Sequence, residues 1–217
     1  MEDFVINKLL TEKPVDETMK LYSTMAQMFN DVAKGSNYHF PEILVKEFLS
    51  LNIPHNVRIL DVGAGTGNVG KLLHASGYKN IDALDGCEEM LSYAKQLNGV
   101  YKQFITAIVK SDTQLPINDR TYDVVLMSGV TCPSHIDVEN YQQIFRLLKS
   151  GGIIGWIKED DYILGRNSER YRDGSYQKSL EKYLKEKKLI EMHGFNPKRI
   201  PNATLGRPGD LYFFEVQ

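Results

Sequence analysis

The 217 residues suffice for one ordinary globular domain with a continuous core and are too few for two full-sized ones. With 42% hydrophobic and 25% charged residues the chain is neither disordered nor collagen-like. Twenty-six Lys and Arg against 28 Asp and Glu leave a formal charge of -2, which gives no support to a broadly basic nucleic-acid surface. Cys87 and Cys132 are too few for a disulfide framework or a cysteine metal quartet, so reduced, intracellular thiols are expected. The opening MEDFVINKLL places acidic residues where a secretory signal needs basic ones, and no apolar run approaches a membrane span. A cytoplasmic protein without membrane segments is the expectation.

From residue 1 to about 52 the apolar residues recur at helical spacing. Leu21, Met25, Met28 and Phe29 form one stripe, and Ile43, Leu44 and Phe48 another, with Gly35, Ser36 and Asn37 between them and Pro41 starting the second helix. This segment, 1–52, reads as a helical cover integral to the fold, and 53–217 as its core. From Val57 short apolar runs alternate with helical text: strands over 57–62, 81–85, 104–109, 122–128 and 152–158, and helices over 68–75, 87–95 and 138–148. That alternation predicts an α/β fold, a doubly wound and mostly parallel sheet with right-handed crossovers. DDYILGRNSERYRDGS, after Glu159, reads as an exposed loop. A charged helix over 175–188 packs through Leu180, Tyr183 and Leu184, and Asp210–Val216, following the turn at Arg207, Pro208 and Gly209, reads as a late antiparallel strand.

The chemistry is concentrated in ILDVGAGTGNVGKLL, Ile59 to Leu73. A buried strand ends in Asp61, a turn carries Gly63, Ala64, Gly65 and Gly67, and a helix begins near Asn68. Glycines there permit a sharp turn and close backbone approach to a ligand, and the helix start offers free N–H groups. Asp85, closing the next strand 22 residues after Gly63, can accept hydrogen bonds from both hydroxyls of a ribose. Strand, turn, helix and acid together predict a nucleoside cofactor. No GxxxxGK[ST] loop is present, which disfavours a P-loop nucleotidase.

The DxGxGxG arrangement resembles the first motif of class I S-adenosylmethionine-dependent methyltransferases. The resemblance continues through ALDGCEEML, LPINDRTYDVVLMSG and LLKSGGIIGW, and YHFPEILVKEFL is similar to the Williams-Beuren-region methyltransferase-like proteins. It implies a Rossmann-like seven-stranded sheet with an antiparallel last strand, S-adenosylmethionine as cofactor, S-adenosylhomocysteine as product and no metal. It further implies that Gly63, Ala64, Gly65 and Gly67 approach the methionyl part and sugar, that Asp61 orients the amino group, and that Asp85 binds the ribose. Gly86, Cys87 and Glu88 would lie beside the ribose, and Ala107 and Ile108 would border adenine, with Asp112 as the competing adenine contact. Ser128, Gly129 and Val130 would line the crevice after the fourth strand.

Tyr22, Phe29 and Tyr38 are lid candidates, with core packing as the alternative. Tyr38 counts among both the cofactor-binding and the catalytic candidates. His135, in SGVTCPSHID beyond the fourth strand, is the candidate proton acceptor, with a surface or helix-start histidine as the alternative. Glu159, Asp160 and Asp161 either recognise a cationic acceptor or form a solvated loop edge, the reading we favour here. Cys87 near a helix start has conditions for a lowered pKa but no partnered base, so a structural role is expected. Trp156 reads as packing and Tyr162 as a less constrained pocket candidate. The expected partner is a small-molecule methyl acceptor, methylated at N, O or S by a monomeric enzyme. Protein methylation, nicotinamide-dependent oxidation and an inactive cofactor-binding scaffold are the alternatives.

Overall fold

The computed structural model describes residues 7–217; the start of the 1–52 cover and the acidic opening fall on 1–6, outside the described residues. Ahead of the sheet, the described residues hold helical turns at 7–10 and then α1 (Val15–Met25), α2 (Phe29–Gly35) and α3 (Phe40–Ser50). Pro41 stands in the first turn of α3, where its missing N–H costs nothing. The core follows as β1 (Ile59–Val62), α4 (Asn68–Ala75), β2 (Ile81–Asp85), α5 (Glu88–Lys95), β3 (Gln103–Thr106) and β4 (Tyr122–Ser128). A single 3-10 turn at Val138–Asn140 leads into α6 (Tyr141–Phe145), then β5 (Leu148–Glu159), α7 (Asp161–Gly165), α8 (Glu169–Arg172) and α9 (Ser175–Lys185). β6 (Leu189–Glu191), β7 (Lys198–Thr204) and β8 (Arg207–Val216) complete the chain.

The strands form one sheet in the order β3-β2-β1-β4-β5-β8-β6, with β7 added beside β8. β1, β2, β3, β4 and β5 pair in parallel, and β8 runs antiparallel to β5 across Gly152–Glu159. The seven strands along this path, with β8 reversed, are the Rossmann-like sheet expected from the sequence. β7 is an eighth strand, antiparallel to β8, that the sequence does not announce. The order reverses between β1 and β4, so a crevice opens at their carboxyl ends, where open α/β sheets bind ligands.

Period-two alternation divides the core between the two faces. Leu60, Val62, Val125, Met127, Ile154, Trp156, Tyr212 and Phe214 belong to one apolar cluster. Ile59, Val124, Leu126, Ile153, Ile157, Leu211 and Phe213 join Leu44 and Phe48 of α3 in the other. Gly155 makes room for Phe213, whose ring would lie 2.2 Å from a Cβ at that position. Trp156 is fully buried, stacks on Tyr212 at 4.8 Å and donates its indole N–H to the Tyr176 hydroxyl at 3.0 Å. Trp156→Ala is expected to cost about 3–5 kcal/mol, because it removes a large buried ring and orphans a polar partner. A urea-melt midpoint unchanged from the parent would show that this face repacks.

Three expectations need correction. The polar stretch after Glu159 is no exposed loop, since it folds into α7 and α8 and buries Leu164 and Tyr171. The fully buried Lys158 ammonium explains this: it meets Asp161, Asp210 Oδ2 at 3.3 Å and the Glu159 carbonyl at 3.2 Å, and lies 4.8 Å above the Tyr176 ring. Arg207, Pro208 and Gly209 are already strand, the turn being at Leu205 and Gly206, both with positive φ. The single helix expected over 138–148 is instead a 3-10 turn and α6, and Leu148 already belongs to β5.

Candidate functional site

The cleft at the ends of β1 and β4, about 920 Å³ with its open mouth included, takes its walls from the segments after β1, β2, β3 and β4 and from α1 and α2. Its floor is the glycine turn. Gly63 N–H and Ala64 N–H both donate to Leu84 O, at 2.7 and 3.1 Å, which fastens the turn to the end of β2. Gly63, Gly65 and Gly67 have φ of +70°, +55° and +93°, in the left-handed region that excludes most side chains. Gly67 in this conformation caps α4. Thr66 Oγ1 donates to Asn30 Oδ1 at 2.7 Å, tying the turn to α2.

Asp85 closes β2 with its carboxylate on the cleft wall. Oδ2 accepts from Gly65 N–H and Oδ1 from Cys87 N–H, both at 2.8 Å. Each oxygen keeps lone-pair capacity for one more donor, the requirement for holding a vicinal diol. Burial pushes the Asp85 pKa up, and the backbone donors oppose that shift. Gly86, Ala107 and Ile108 line the same wall, whereas Asp112 is exposed and is not part of it.

Asp61 is 1% exposed and does not line the cleft. Its Oδ2 accepts from the Tyr101 hydroxyl at 2.7 Å, and that oxygen accepts from Gly70 N–H at 3.2 Å. Oδ1 has no hydrogen-bond partner among the described residues, and burial raises the carboxyl to about 7. Tyr101, 40 residues from Asp61, is a site-supporting residue that no local motif marks. Gly67 and Cys87 also lie off the cleft wall. Cys87 is buried with Ala26 and Met90, its thiol donates toward Glu89 at 3.4 Å, and burial raises it to about 11. The helix start therefore does not produce a thiolate there.

Ser128 and Gly129 lie at the end of β4 and on the wall. Ser128 Oγ is buried next to the Tyr38 hydroxyl. Gly129 is required by Tyr38, whose hydroxyl would stand 2.1 Å from a Cβ there. Tyr38 packs against Phe40 at 4.9 Å, and burial raises its pKa well above the usual phenol value. Tyr22, Phe29, Tyr38 and His135 close the cleft from the cover side.

His135 Nδ1 lies 2.8 Å from the Pro133 carbonyl, and Nε2 lies 2.8 Å from the Tyr22 hydroxyl. A carbonyl only accepts, so Nδ1 carries the hydrogen and the neutral ring accepts the Tyr22 O–H at Nε2. Burial lowers the His135 pKa to about 4, which keeps the ring neutral near pH 7. His135 is thus no surface histidine, and its basic nitrogen is reached through Tyr22. The solvated-edge reading of the acidic cluster fails as well. Glu159 and Asp160 are each 5% exposed; Asp160 accepts from Tyr162 N–H at 3.0 Å and pairs with Arg199, while Tyr162 itself is 71% exposed.

The donors and spaces fit a nucleoside carrying an amino-acid tail. A glycine cradle and a carboxylate with free lone pairs line one cleft, and the buried Asp61, with its orphan oxygen, stands in the strand that leads into the cradle. Fold and cradle together resemble those of class I S-adenosylmethionine-dependent methyltransferases. Residues 59–152 match the family described as "Methyltransferase domain". Among curated proteins, cycloartenol-C-24-methyltransferase 1 of Oryza sativa subsp. japonica is 27% identical over 159 residues, 65% of this chain and 46% of that protein. Methyltransferase-like protein 27 of Homo sapiens is 31% identical over 101 residues, 46% of this chain and 40% of that protein. The chain therefore spans about half the length, or less, of these relatives. A TehB-like S-adenosylmethionine-dependent methyltransferase from Corynebacterium glutamicum shares the fold with TM-score 0.61 at 17% identity, covering 90% of this chain and 98% of its own. No helix among the described residues is long and apolar enough to cross a membrane.

Proposed function

We propose that the protein transfers a methyl group from S-adenosylmethionine to a nucleophilic N, O or S atom of a small molecule by in-line displacement, releasing S-adenosylhomocysteine. The observation that carries this reading is the Asp85 carboxylate, pinned by Gly65 and Cys87 N–H groups beside a glycine floor and under an aromatic cover. Bound S-adenosylmethionine supplies an already activated methyl. The chain's share is positioning, exclusion of water and removal of a proton where the acceptor carries one. Gly63, Ala64 and Gly65 accommodate the methionyl and sugar parts, Asp85 the ribose, Ala107 and Ile108 the base, and Asp61 the amino group from its orphan oxygen. Residues 1–52 act as the cover of a core spanning 53–217, and Tyr38 packs over Gly129 to narrow the passage to the acceptor. The relatives named for cycloartenol and sterols support a small, apolar acceptor over a protein one. The working state is a cytoplasmic monomer that needs no metal.

Isothermal titration calorimetry with S-adenosylmethionine, run beside NAD and NADP, tests the cofactor directly. Selective S-adenosylmethionine binding is expected; a folded protein that ignores it or prefers a nicotinamide sinks the reading. For a hydroxyl or thiol acceptor, the acceptor proton passes to the Tyr22 oxygen while the Tyr22 proton moves to His135 Nε2. His135→Ala is accordingly expected to lower turnover by about 100-fold, the ordinary size of a general-base contribution, with cofactor affinity changed less than twofold. Equal turnover with a labelled methyl donor would remove His135 from the mechanism.

Asp61 predicts a pH dependence. Its folded pKa of about 7 lies above the ordinary carboxylate value, so the folded protein holds an extra proton between about pH 4 and 7 and stability falls as pH rises through that window. An amino group favours the ionised carboxylate, so cofactor affinity should rise across the upper part of the same window. Asp61→Asn is expected to flatten this contribution and to melt higher than the parent at pH 8 but not at pH 4. Parallel affinity profiles in parent and variant between pH 5 and 8 would show that Asp61 does not face the amino group.

A further inference from the structure

Beyond the cofactor cleft lies a second chamber, about 600 Å³ with its opening included, which shares Tyr22, Phe29, Tyr38, Gly129 and His135 with it. Its walls are mostly aliphatic and aromatic, from Leu9 and Leu10, from α2, and from Phe40. Glu159 and Thr204 also line it, 5% and 1% exposed, and each carries a buried oxygen, Oε1 and Oγ1, without a hydrogen-bond partner among the described residues. Among the described residues no Lys or Arg lines the chamber, and the His135 ring accepts from Tyr22 and donates to Pro133 O as a neutral imidazole. Arg207, outside the lining, forms an ion pair with Glu159 Oε1 at 3.6 Å and leaves the chamber side of the carboxylate to a ligand. An anionic ligand would meet a carboxylate and no cation. A hydrocarbon would leave two polar atoms orphaned. A cation with an apolar body would satisfy Glu159 and lie among the faces of Tyr22, Phe29, Tyr38 and Phe40, the surroundings that attract ammonium groups.

Resting on the methyltransferase reading above, we propose that this chamber is the acceptor site and that it takes an apolar primary or secondary amine, anchored by Glu159. The ammonium gives one proton to the Glu159 carboxylate and frees the nitrogen lone pair. That pair forms the N–C bond as the S–C bond breaks, the bonding electrons remain on sulfur, and the products are a methylated ammonium, a protonated Glu159 and the neutral thioether. Burial, opposed by Arg207, raises the Glu159 pKa to about 7, a value suited to accepting a proton near neutral pH.

The test is calorimetric binding of 2-phenylethylamine and its isostere 2-phenylethanol to the full chain loaded with S-adenosylhomocysteine. The amine is expected to bind at least about tenfold tighter, one charge-assisted hydrogen bond being worth that difference. Glu159→Gln should erase the preference while leaving S-adenosylhomocysteine affinity within twofold. Equal binding of amine and alcohol to the loaded parent protein overturns the amine assignment and leaves the methyltransferase reading intact. Failure of the folded parent to bind S-adenosylhomocysteine overturns both. Because the amine and alcohol are compared on the parent chain, the outcome does not hang on whether the variant folds.

Discussion

Asp85→Ala is expected to weaken S-adenosylmethionine binding by about 100-fold, or ~3 kcal/mol, since two charge-assisted hydrogen bonds to a ribose are lost at once. The carboxylate has two duties. It holds Gly65 N–H and Cys87 N–H at 2.8 Å, and its remaining lone pairs face the cleft. Alanine therefore also releases the turn, so the melting temperature should fall along with affinity. The two duties separate through Asp85→Asn, in which one oxygen survives to hold a backbone donor and the amide cannot accept from the other. Affinity for that variant should lie between the parent and Asp85→Ala. A folded Asp85→Ala protein with the parental calorimetric Kd would remove the ribose assignment altogether.

Gly65→Val is expected to abolish measurable cofactor binding at a modest cost in stability. The reason is where a side chain would go. A Cβ at Gly65 meets Met90 Cε at 3.4 Å and Gly63 O at 3.9 Å, both ordinary contacts, so it enters largely open space on the cleft floor. The φ of +55° adds strain of about 1–3 kcal/mol for a β-branched residue. Gly63 makes the contrast, because a Cβ there would stand 2.0 Å from Val130 Cγ1. Gly63→Ala should lose stability first and binding as a consequence, whereas Gly65→Val should lose binding in a protein that still melts cooperatively. Thermal melts with and without S-adenosylmethionine distinguish them, and ligand-induced stabilisation persisting in Gly65→Val would place its side-chain space away from the cofactor.

The glycine turn was legible because independent local signals coincide within one stretch of chain. An apolar run, three spaced glycines and an amphipathic start specify β1, its turn and α4, and Asn68–Ala75, Ile81–Asp85 and Tyr122–Ser128 fall where the pattern places them. What was hidden depends on residues far apart in sequence. Glu159 and Asp160 look like a solvated edge until Arg207 and Arg199 arrive from β8 and β7. Tyr22 and His135 are 113 residues apart, and nothing near either one announces the hydrogen bond that fixes the imidazole tautomer. β7 escapes notice because KRIPNAT is polar, contains proline and is exposed over most of its length, as an edge strand permits. α7 and α8 escape because their helical turns are too short for a periodic stripe, and they are held by the ions around Lys158.

β8 sits between β5 and β6, both of which precede it in the chain, and it pairs with them and with β7. During synthesis the β5 flank from Gly152 to Glu159 therefore waits without its partner while more than fifty further residues are made. That flank carries Ile153, Ile154, Trp156 and Ile157, an apolar edge of the kind that recruits other chains. The nascent protein is thus most vulnerable to aggregation just before Arg207–Val216 clears the ribosome, and its yield in cells should respond to chaperone supply at that step more than to the strength of the cofactor site.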